Sequence, residues 1–347
     1  MEKTVKKRVL ILYTGGTIGM ATTGRGYAPQ KRQFHELLKG MPELYTEGMP
    51  KWEIQDMDPL LDSSNIAVDE WNAIGRQVAQ AYDRYDGFVI LHGTDTMAYT
   101  ASALSFMLEG CGKPVILTGS QIPLCEIRSD GRDNLVSSIL LAADDRIHEV
   151  CLYFGGKLLR GNRAMKYSAD GLTAFRSPNY PVLAEAGIEM QFRDGALLPP
   201  EEGKRFTFQP FRKIPIGVIK VFPGIQFSLF EPILTENLKG LVIETFGTGN
   251  IPGAESALIP LIRKAGENGT ILVVCSQCPQ GKVRLGTYET SSSLLDAGAV
   301  SGSDLTTEAA VAKLYYLFSR EHSRAEIVRK MEEDLRGECS PAQASSE

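Results

Sequence analysis

Val9-Leu10-Ile11-Leu12-Tyr13-Thr14-Gly15-Gly16-Thr17-Ile18-Gly19 decides the fold of this chain. Its first half is a run of apolar and β-branched residues, the composition of a strand buried on both faces. Its second half is rich in glycine and threonine, the composition of a tight turn. The same pattern returns where Phe88-Val89-Ile90-Leu91 runs into His92-Gly93-Thr94-Asp95-Thr96-Met97. In an open α/β sheet such turns lie at the carboxyl ends of strands, where ligands bind. Two turns from separate strands can therefore meet in one crevice. Together they offer several hydroxyls and one carboxylate, and hydroxyls with a means of moving protons are what covalent acyl transfer needs.

Outward from these two strands the chain alternates. The polar excursion from Ala21 to Pro29 holds Gly24, Gly26 and Tyr27 and reads as a hairpin or mobile flap. Trp71, Ile74 and Val78 behind Asp69 and Glu70 predict a helix over 69–82. A strand at 87–91, a helix through Tyr99 to Leu108, a strand at 114–118, a helix over 132–143 and a strand at 150–154 follow. This succession predicts an α/β fold with a larger N-terminal, mostly parallel sheet and helices on both faces. The stretch 194–213, with Pro199-Pro200, Glu201-Glu202 and Lys204-Arg205, reads as an interdomain linker. It separates a catalytic domain over 1–193 from a smaller C-terminal α/β domain over 214–347 with a frayed tail. The second domain is expected to hold strands at 216–221, 240–244 and 270–274. Its helices fall near 254–266, 306–319 (with Thr306 as N-cap) and 323–335.

A length of 347 residues favours two cores over one. Hydrophobic residues at 43% and charged residues at 23% are ordinary for a soluble globular enzyme. The net charge of −5 leaves no basic field for nucleic acid or an anionic membrane, so a small-molecule substrate is expected. Lys3-Thr4-Val5-Lys6-Lys7-Arg8 precedes an apolar run too short for a secretory signal, and no stretch reaches transmembrane length. The six cysteines (111, 125, 151, 275, 278, 339) then read as reduced thiols of a cytoplasmic protein. Cys275-Ser276-Gln277-Cys278 follows a strand and has no second pair to complete a zinc site, and the four histidines lack ligand spacing. Neither a metal nor a cofactor is expected.

Neither G-x-G-x-x-G nor G-x-x-x-x-G-K-[ST] occurs in the first turn, which by itself suits a plain turn as well as a phosphate cradle. A Thr-Asp pair after a strand is by itself a common helix cap. Arg160-Gly161-Asn162-Arg163-Ala164-Met165-Lys166 follows a further strand. A lysine on a polar loop is ordinarily a solvated charge, whereas one buried beside a hydroxyl and a carboxylate can hold or accept a proton. His92 is expected to pack under its loop.

Together these segments resemble the asparaginases of bacterial type, and the cytoplasmic type I branch most closely. The resemblance runs through Tyr13 to Gly19, His92 to Met97 and Thr118-Gly119-Ser120-Gln121-Ile122-Pro123. It continues in Arg128-Ser129-Asp130-Gly131, Gly161-Asn162-Arg163 and Phe246-Gly247-Thr248-Gly249-Asn250. It implies a hydrolase that converts L-asparagine and water to L-aspartate and ammonia. On that resemblance Thr17 is the nucleophile, and Tyr27 on the flap orients or deprotonates it. Thr94, Asp95 and Lys166 form a second, proton-moving triad. Ser63, within Leu61-Asp62-Ser63-Ser64-Asn65, grips the substrate α-carboxylate beside Asp62 and Ser64, while Thr94 and Asp95 also face the substrate and Asp95 holds its ammonium. A threonine hydroxyl must lose its proton as it attacks, and an ester on Thr17 would split the hydrolysis into two lower barriers. Asparagine differs from glutamine by one methylene, worth about 1–3 kcal/mol in a shape-limited pocket, which leaves room for minor glutaminase activity.

The resemblance further implies self-association to a homodimer or homotetramer. Met165 and Glu244 stand where regulated type I members carry threonine and arginine, so weak or absent cooperativity is expected. The amidase subunit of a tRNA-dependent amidotransferase shares the threonine motifs but has an extra N-terminal domain, and this chain starts a few residues before its first strand. A catalytically dead sensor would not need Thr17, Tyr27, Thr94, Asp95 and Lys166 intact. A nucleotide-binding module would rest on the first turn alone.

Overall fold

Leu10 and Leu12 point to one side of the first strand and Val9, Ile11 and Tyr13 to the other, and all five are at most 2% exposed. That strand has to be covered on both faces. The structure is a computed structural model that describes residues 6–24, 26–201, 203–234, 237–252, 258–286 and 289–340. The expected basic terminus up to residue 5, residues 254–257 of an expected helix and the tail from 341 lie outside the described residues.

The first strand is β1 (Arg8–Gly15). A hairpin of β2 (Met20–Thr23) and β3 (Gly26–Pro29) follows, then α1 (Lys31–Lys39), the long β4 (Lys51–Leu61) and α2 (Val68–Ala81). Next come β5 (Gly87–Leu91), α3 (Met97–Met107), β6 (Leu108–Glu109), β7 (Val115–Thr118), α4 (Gly131–Leu141) and β8 (Val150–Phe154). The first unit ends with β9 (Lys157–Arg160), a hairpin of β10 (Met165–Lys166) and β11 (Phe175–Arg176), then β12 (Ala184–Ala186), β13 (Met190–Phe192) and β14 (Thr207–Phe208).

Eight of these strands form one sheet in the order β13-β12-β9-β8-β7-β5-β1-β4. The five from β8 to β4 run parallel, with Ile11 beside both Ile54 and Val89, and Val89 beside Ile116. β9, β12 and β13 are antiparallel additions. The α/β expectation therefore holds, and the sheet is mixed at one end. Phe34 and Leu38 of α1 and Leu135 and Ile139 of α4 share a core with Val9, Ile11, Tyr13, Val89 and Ile116. The opposite face, to which Leu10 and Leu12 point, belongs to α2 and α3, which contact β1, β7 and β8.

Several elements had no expectation from the sequence, α1 and β4 among them. Lys51-Trp52-Glu53-Ile54-Gln55-Asp56 mixes charged and apolar residues, and Pro59 lies near its end. That composition suits a strand with one unpaired side at the rim of a sheet. Within the expected linker, Thr207–Phe208 pairs with β6 and Phe206 stacks on Tyr82 with ring centroids 3.6 Å apart.

The chain divides into compact units at Pro210 and Phe211. The second unit contains β15 (Ile216–Lys220), β16 (Gly240–Thr245), α5 (Leu258–Glu267), β17 (Ile271–Ser276), α6 (Glu289–Asp296), β18 (Val300–Ser301), α7 (Thr307–Phe318) and α8 (Arg324–Glu332). Its four strands are parallel in sequence order. Thr306 caps α7 by accepting from the Ala309 N–H at 3.1 Å, as its position before the helix predicts. Lys313 of α7 is fully buried and pairs at 2.6 Å with Glu338, itself fully buried. Among the described residues no helix is long and apolar enough to cross a membrane.

Candidate active site

From β1 the chain passes first to the neighbour on one side, β4, and then through α2 to the neighbour on the other, β5. The turns leaving β4, β1 and β5 therefore part at this point and open a crevice at the carboxyl rim, the usual ligand position in such sheets. A cavity of about 240 Å³ lies there. Asp62 and Ser63 reach it from the end of β4, Gly16 and Thr17 from β1, Gly93, Thr94 and Asp95 from β5, and Gln121 from beyond β7. Lys166 and Ala169 come from the β10–β11 hairpin and Met20 from the start of β2.

Glycine lets these turns touch. A Cβ at Gly16 would stand 2.5 Å from the Gly93 nitrogen, and one at Gly93 would stand 2.4 Å from Ser63 Oγ. Gly16 also has φ +86°, a conformation that side chains resist. The backbones of the two threonine turns are thus in direct contact, with Ser63 against the second.

Lys166 Nζ donates to Thr94 Oγ1 at 2.9 Å and to Asp95 Oδ1 at 2.6 Å. Thr94 Oγ1 in turn donates to Gln121 Oε1 at 3.1 Å. Gln121 Nε2 donates to the carbonyls of Ala169 and Gly171 at 3.1 and 3.3 Å. Since an amide nitrogen only donates, those bonds fix which end of Gln121 faces Thr94. The Thr94 hydroxyl is consequently oriented from both sides, with its lone pair toward the ammonium. Asp62 accepts from the Ser64 N–H at 3.0 Å and holds the turn that presents Ser63.

Below the second turn, Trp71 Nε1 donates to Thr100 Oγ1 at 3.1 Å, and Thr100 Oγ1 lies 2.9 Å from His92 Nε2. His92 Nδ1 lies 2.6 Å from the Gly93 carbonyl. A carbonyl only accepts, so Nδ1 carries the proton and Nε2 accepts from Thr100. Complete burial pushes the imidazole pKa down to about 4, keeping it neutral. His92 packs under the loop, as expected, and supports the turn that carries Thr94.

The structure thus gathers Thr17, Thr94, Asp95, Lys166, Ser63 and Asp62 in one cavity. Two expected site residues stand apart from it. Ser64 is exposed and does not line the cavity. Tyr27 is 53% exposed on β3, and its hydroxyl donates to Glu126 Oε1 at 2.7 Å. That bond, ahead of partial desolvation, raises the Tyr27 pKa. Gln121, Met20 and Ala169 line the cavity without having been singled out from the sequence. For Gln121 a signal existed: it follows the strand next to β5, and the carboxyl-rim rule covers that turn as well. Cys275 is buried and its thiol pKa is pushed up to about 12 by burial and by the charges of Glu244 and Glu308, which removes thiolate chemistry at neutral pH. Asp334, Glu338 and Cys339 place ligand atoms within 4.8 Å of one another. There, however, Glu338 already accepts from Lys313 and from the N–H groups of Leu335 and Arg336.

The family profile described as Asparaginase, N-terminal matches residues 8–197, and Glutaminase/Asparaginase C-terminal domain matches residues 215–331. The chain belongs to the asparaginase family. It is 45% identical to L-asparaginase 1 of Escherichia coli (strain K12), over 97% of this chain and 99% of that one. The crystal structure of L-asparaginase I from Vibrio cholerae O1 biovar eltor superposes with a TM-score of 0.90 at 45% identity, covering 96% of this chain and 99% of that chain. The 60 kDa lysophospholipase of Mus musculus is 38% identical over 96% of this chain and 63% of its own length.

Proposed function

We propose that this enzyme hydrolyses L-asparagine to L-aspartate and ammonia through an ester on Thr17. The observation that carries the reading is the convergence of Thr17, Thr94 and Ser63 with Asp95 and Lys166 on one small polar cavity. Asp95 pairs with the substrate ammonium, and Ser63 with neighbouring backbone N–H groups holds its carboxylate. This leaves the side-chain amide carbon for the Thr17 hydroxyl. As Thr17 Oγ1 bonds to that carbon the hydroxyl proton passes to the amide nitrogen, so the C–N bond breaks with loss of ammonia and leaves the aspartyl ester. Water near Thr94 then cleaves the ester. The Lys166 ammonium beside Thr94 Oγ1 favours an oxygen that is losing its proton. Tyr27 joins Thr17 when the β2–β3 hairpin moves over the cavity. The enzyme works as a homodimer or homotetramer in the cytoplasm. A fatty acyl chain does not suit the cavity: its lining is mostly hydroxyl, carboxylate, amide and glycine, with only Met20 and Ala169 apolar. An amino-acid amide is favoured over a lysophospholipid on that ground.

Ammonia release from L-asparagine, D-asparagine, L-glutamine and a lysophosphatidylcholine control tests the reading. L-asparagine should be turned over fastest, with a hyperbolic rate curve. Thr17→Ala and Thr94→Val should each lose at least about a hundred-fold in kcat while keeping the circular dichroism of the parent. Wild-type turnover by Thr17→Ala would remove the nucleophile assignment.

A further inference from the structure

We propose that Glu126 is a positioning residue of the reaction: its carboxylate holds the Tyr27 hydroxyl outside the cavity and so sets the cost of closing the β2–β3 hairpin over Thr17. The inference rests on the reading above in which Tyr27 serves Thr17.

The hairpin has two paired strands of four residues. It is anchored at its base, where the Gln30 N–H donates to the Gly19 carbonyl at 3.1 Å and Cys125 Sγ lies 3.5 Å from the Met20 carbonyl. Toward the other end, no described atom lies within 4 Å of where a Cβ would stand at Gly24 or Gly26. Above the base, the Tyr27–Glu126 bond ties the hairpin to the rest of the first unit.

Glu126 sits on firm ground. Asp130 accepts from the N–H groups of Gln121 and Ile122 at 3.0–3.1 Å. Ser129 Oγ donates to the Ile122 carbonyl at 2.9 Å, and the Ser129 N–H to the Glu126 carbonyl at 3.1 Å. The loop that places Gln121 against Thr94 thus also fixes the carboxylate that holds Tyr27. Tyr27 stands outside the cavity that Thr17 lines, so its hydroxyl meets Glu126 in this position of the hairpin and must leave it to meet Thr17. A hairpin held out by this bond lowers the fraction of enzyme ready for substrate, and apparent affinity falls by the same fraction.

The test is steady-state hydrolysis of L-asparagine by the full-length enzyme, comparing wild type, Glu126→Ala, Glu126→Gln, Tyr27→Phe and the Glu126→Ala/Tyr27→Phe pair. A single exposed bond to a charged acceptor predicts a KM lowered about three- to ten-fold in Glu126→Ala, with kcat within about two-fold of wild type. Glu126→Gln, which keeps an acceptor without the charge, should fall between the two. Tyr27→Phe should lose kcat, and adding Glu126→Ala to it should change nothing further. Fluorotyrosine incorporation with 19F NMR gives an independent reading: the Tyr27 resonance of the ligand-free enzyme should move toward its asparagine-bound position in Glu126→Ala. An unchanged or raised KM in Glu126→Ala, with Tyr27→Phe impaired, overturns the latch and leaves the role of Tyr27 standing. Full activity in Tyr27→Phe overturns both. Should Glu126→Ala fail to fold, the Glu126→Gln kinetics and resonance decide in the same way.

Discussion

His92 shows how much of this site is held from underneath. It does not line the site cavity, yet its ring links Trp71 and Thr100 to the Gly93 carbonyl, one peptide before Thr94. A neutral imidazole is built into that chain, and protonating it would replace an acceptor with a second donor facing Thr100. Its folded pKa lies at about 4 against an ordinary 6.5. The unfolded chain therefore takes up the proton first, and stability falls as pH drops through this window. The loss should reach about 3 kcal/mol by the lower end, and none of it should be present above about pH 7. Urea midpoints at pH 7 and pH 4.5 check this: wild type should lose more than His92→Gln, which has nothing to titrate. At this scale the apolar runs in the sequence before Thr17 and Thr94 placed both at strand ends, but their roles and those of Asp95 and Lys166 came from the resemblance to the asparaginases, since a Thr-Asp pair is by itself a common cap and a loop lysine a solvated charge. Gln121 carried only the signal of its place after a strand, because a lone glutamine has many uses and its neighbours in the folded chain reveal which end of its amide faces Thr94.

Elements were legible in proportion to how completely they are buried. β1 and β5 carry continuous apolar runs because helices cover both their faces. β4, whose other edge is unpaired, keeps charges along its length and escaped notice, although it delivers Ser63. The antiparallel strands β9, β12 and β13 are three or four residues long, too short for any periodicity to register. In the second unit, Lys313 lies within an apolar helix, and its partner Glu338 lies beyond α8. Burial alone would keep Glu338 neutral, but the Lys313 charge and hydrogen bond, with backbone N–H groups, outweigh it and hold the carboxyl below its usual range. Removing one partner strands the other charge in the interior. Lys313→Ala should thus cost about 3–5 kcal/mol of stability, while Lys313→Met combined with Glu338→Gln should recover most of it. Chemical denaturation of the three proteins measures the difference, and equal losses in the single and double variants would mean that packing, not charge, is at stake.

At the scale of the molecule, each compact unit has its own sheet and core, the sheet mixed in the first unit and parallel in the second, and all residues of the cavity belong to the first. The linker expected at 194–213 was read from composition, which registers prolines and charges but not that Phe206 would find the ring of Tyr82. The cavity residues are not scattered around the first sheet. Those that the eight-stranded sheet supplies all follow the carboxyl ends of its strands, and the β2–β3 and β10–β11 hairpins add Met20, Lys166 and Ala169.

That one-sidedness has a practical use. Asp145 lies just before β8 at the amino rim, where it meets Lys7, and its side chain is 81% exposed. A cysteine introduced there, Asp145→Cys, in a chain whose exposed Cys278 is changed to serine, offers a handle for coupling the enzyme to a solid carrier, and the loss of so exposed an ion pair costs little. Beads loaded through residue 145 should retain most of the turnover of the free enzyme. Beads loaded through Ala169→Cys, on the opposite rim, should be nearly inert.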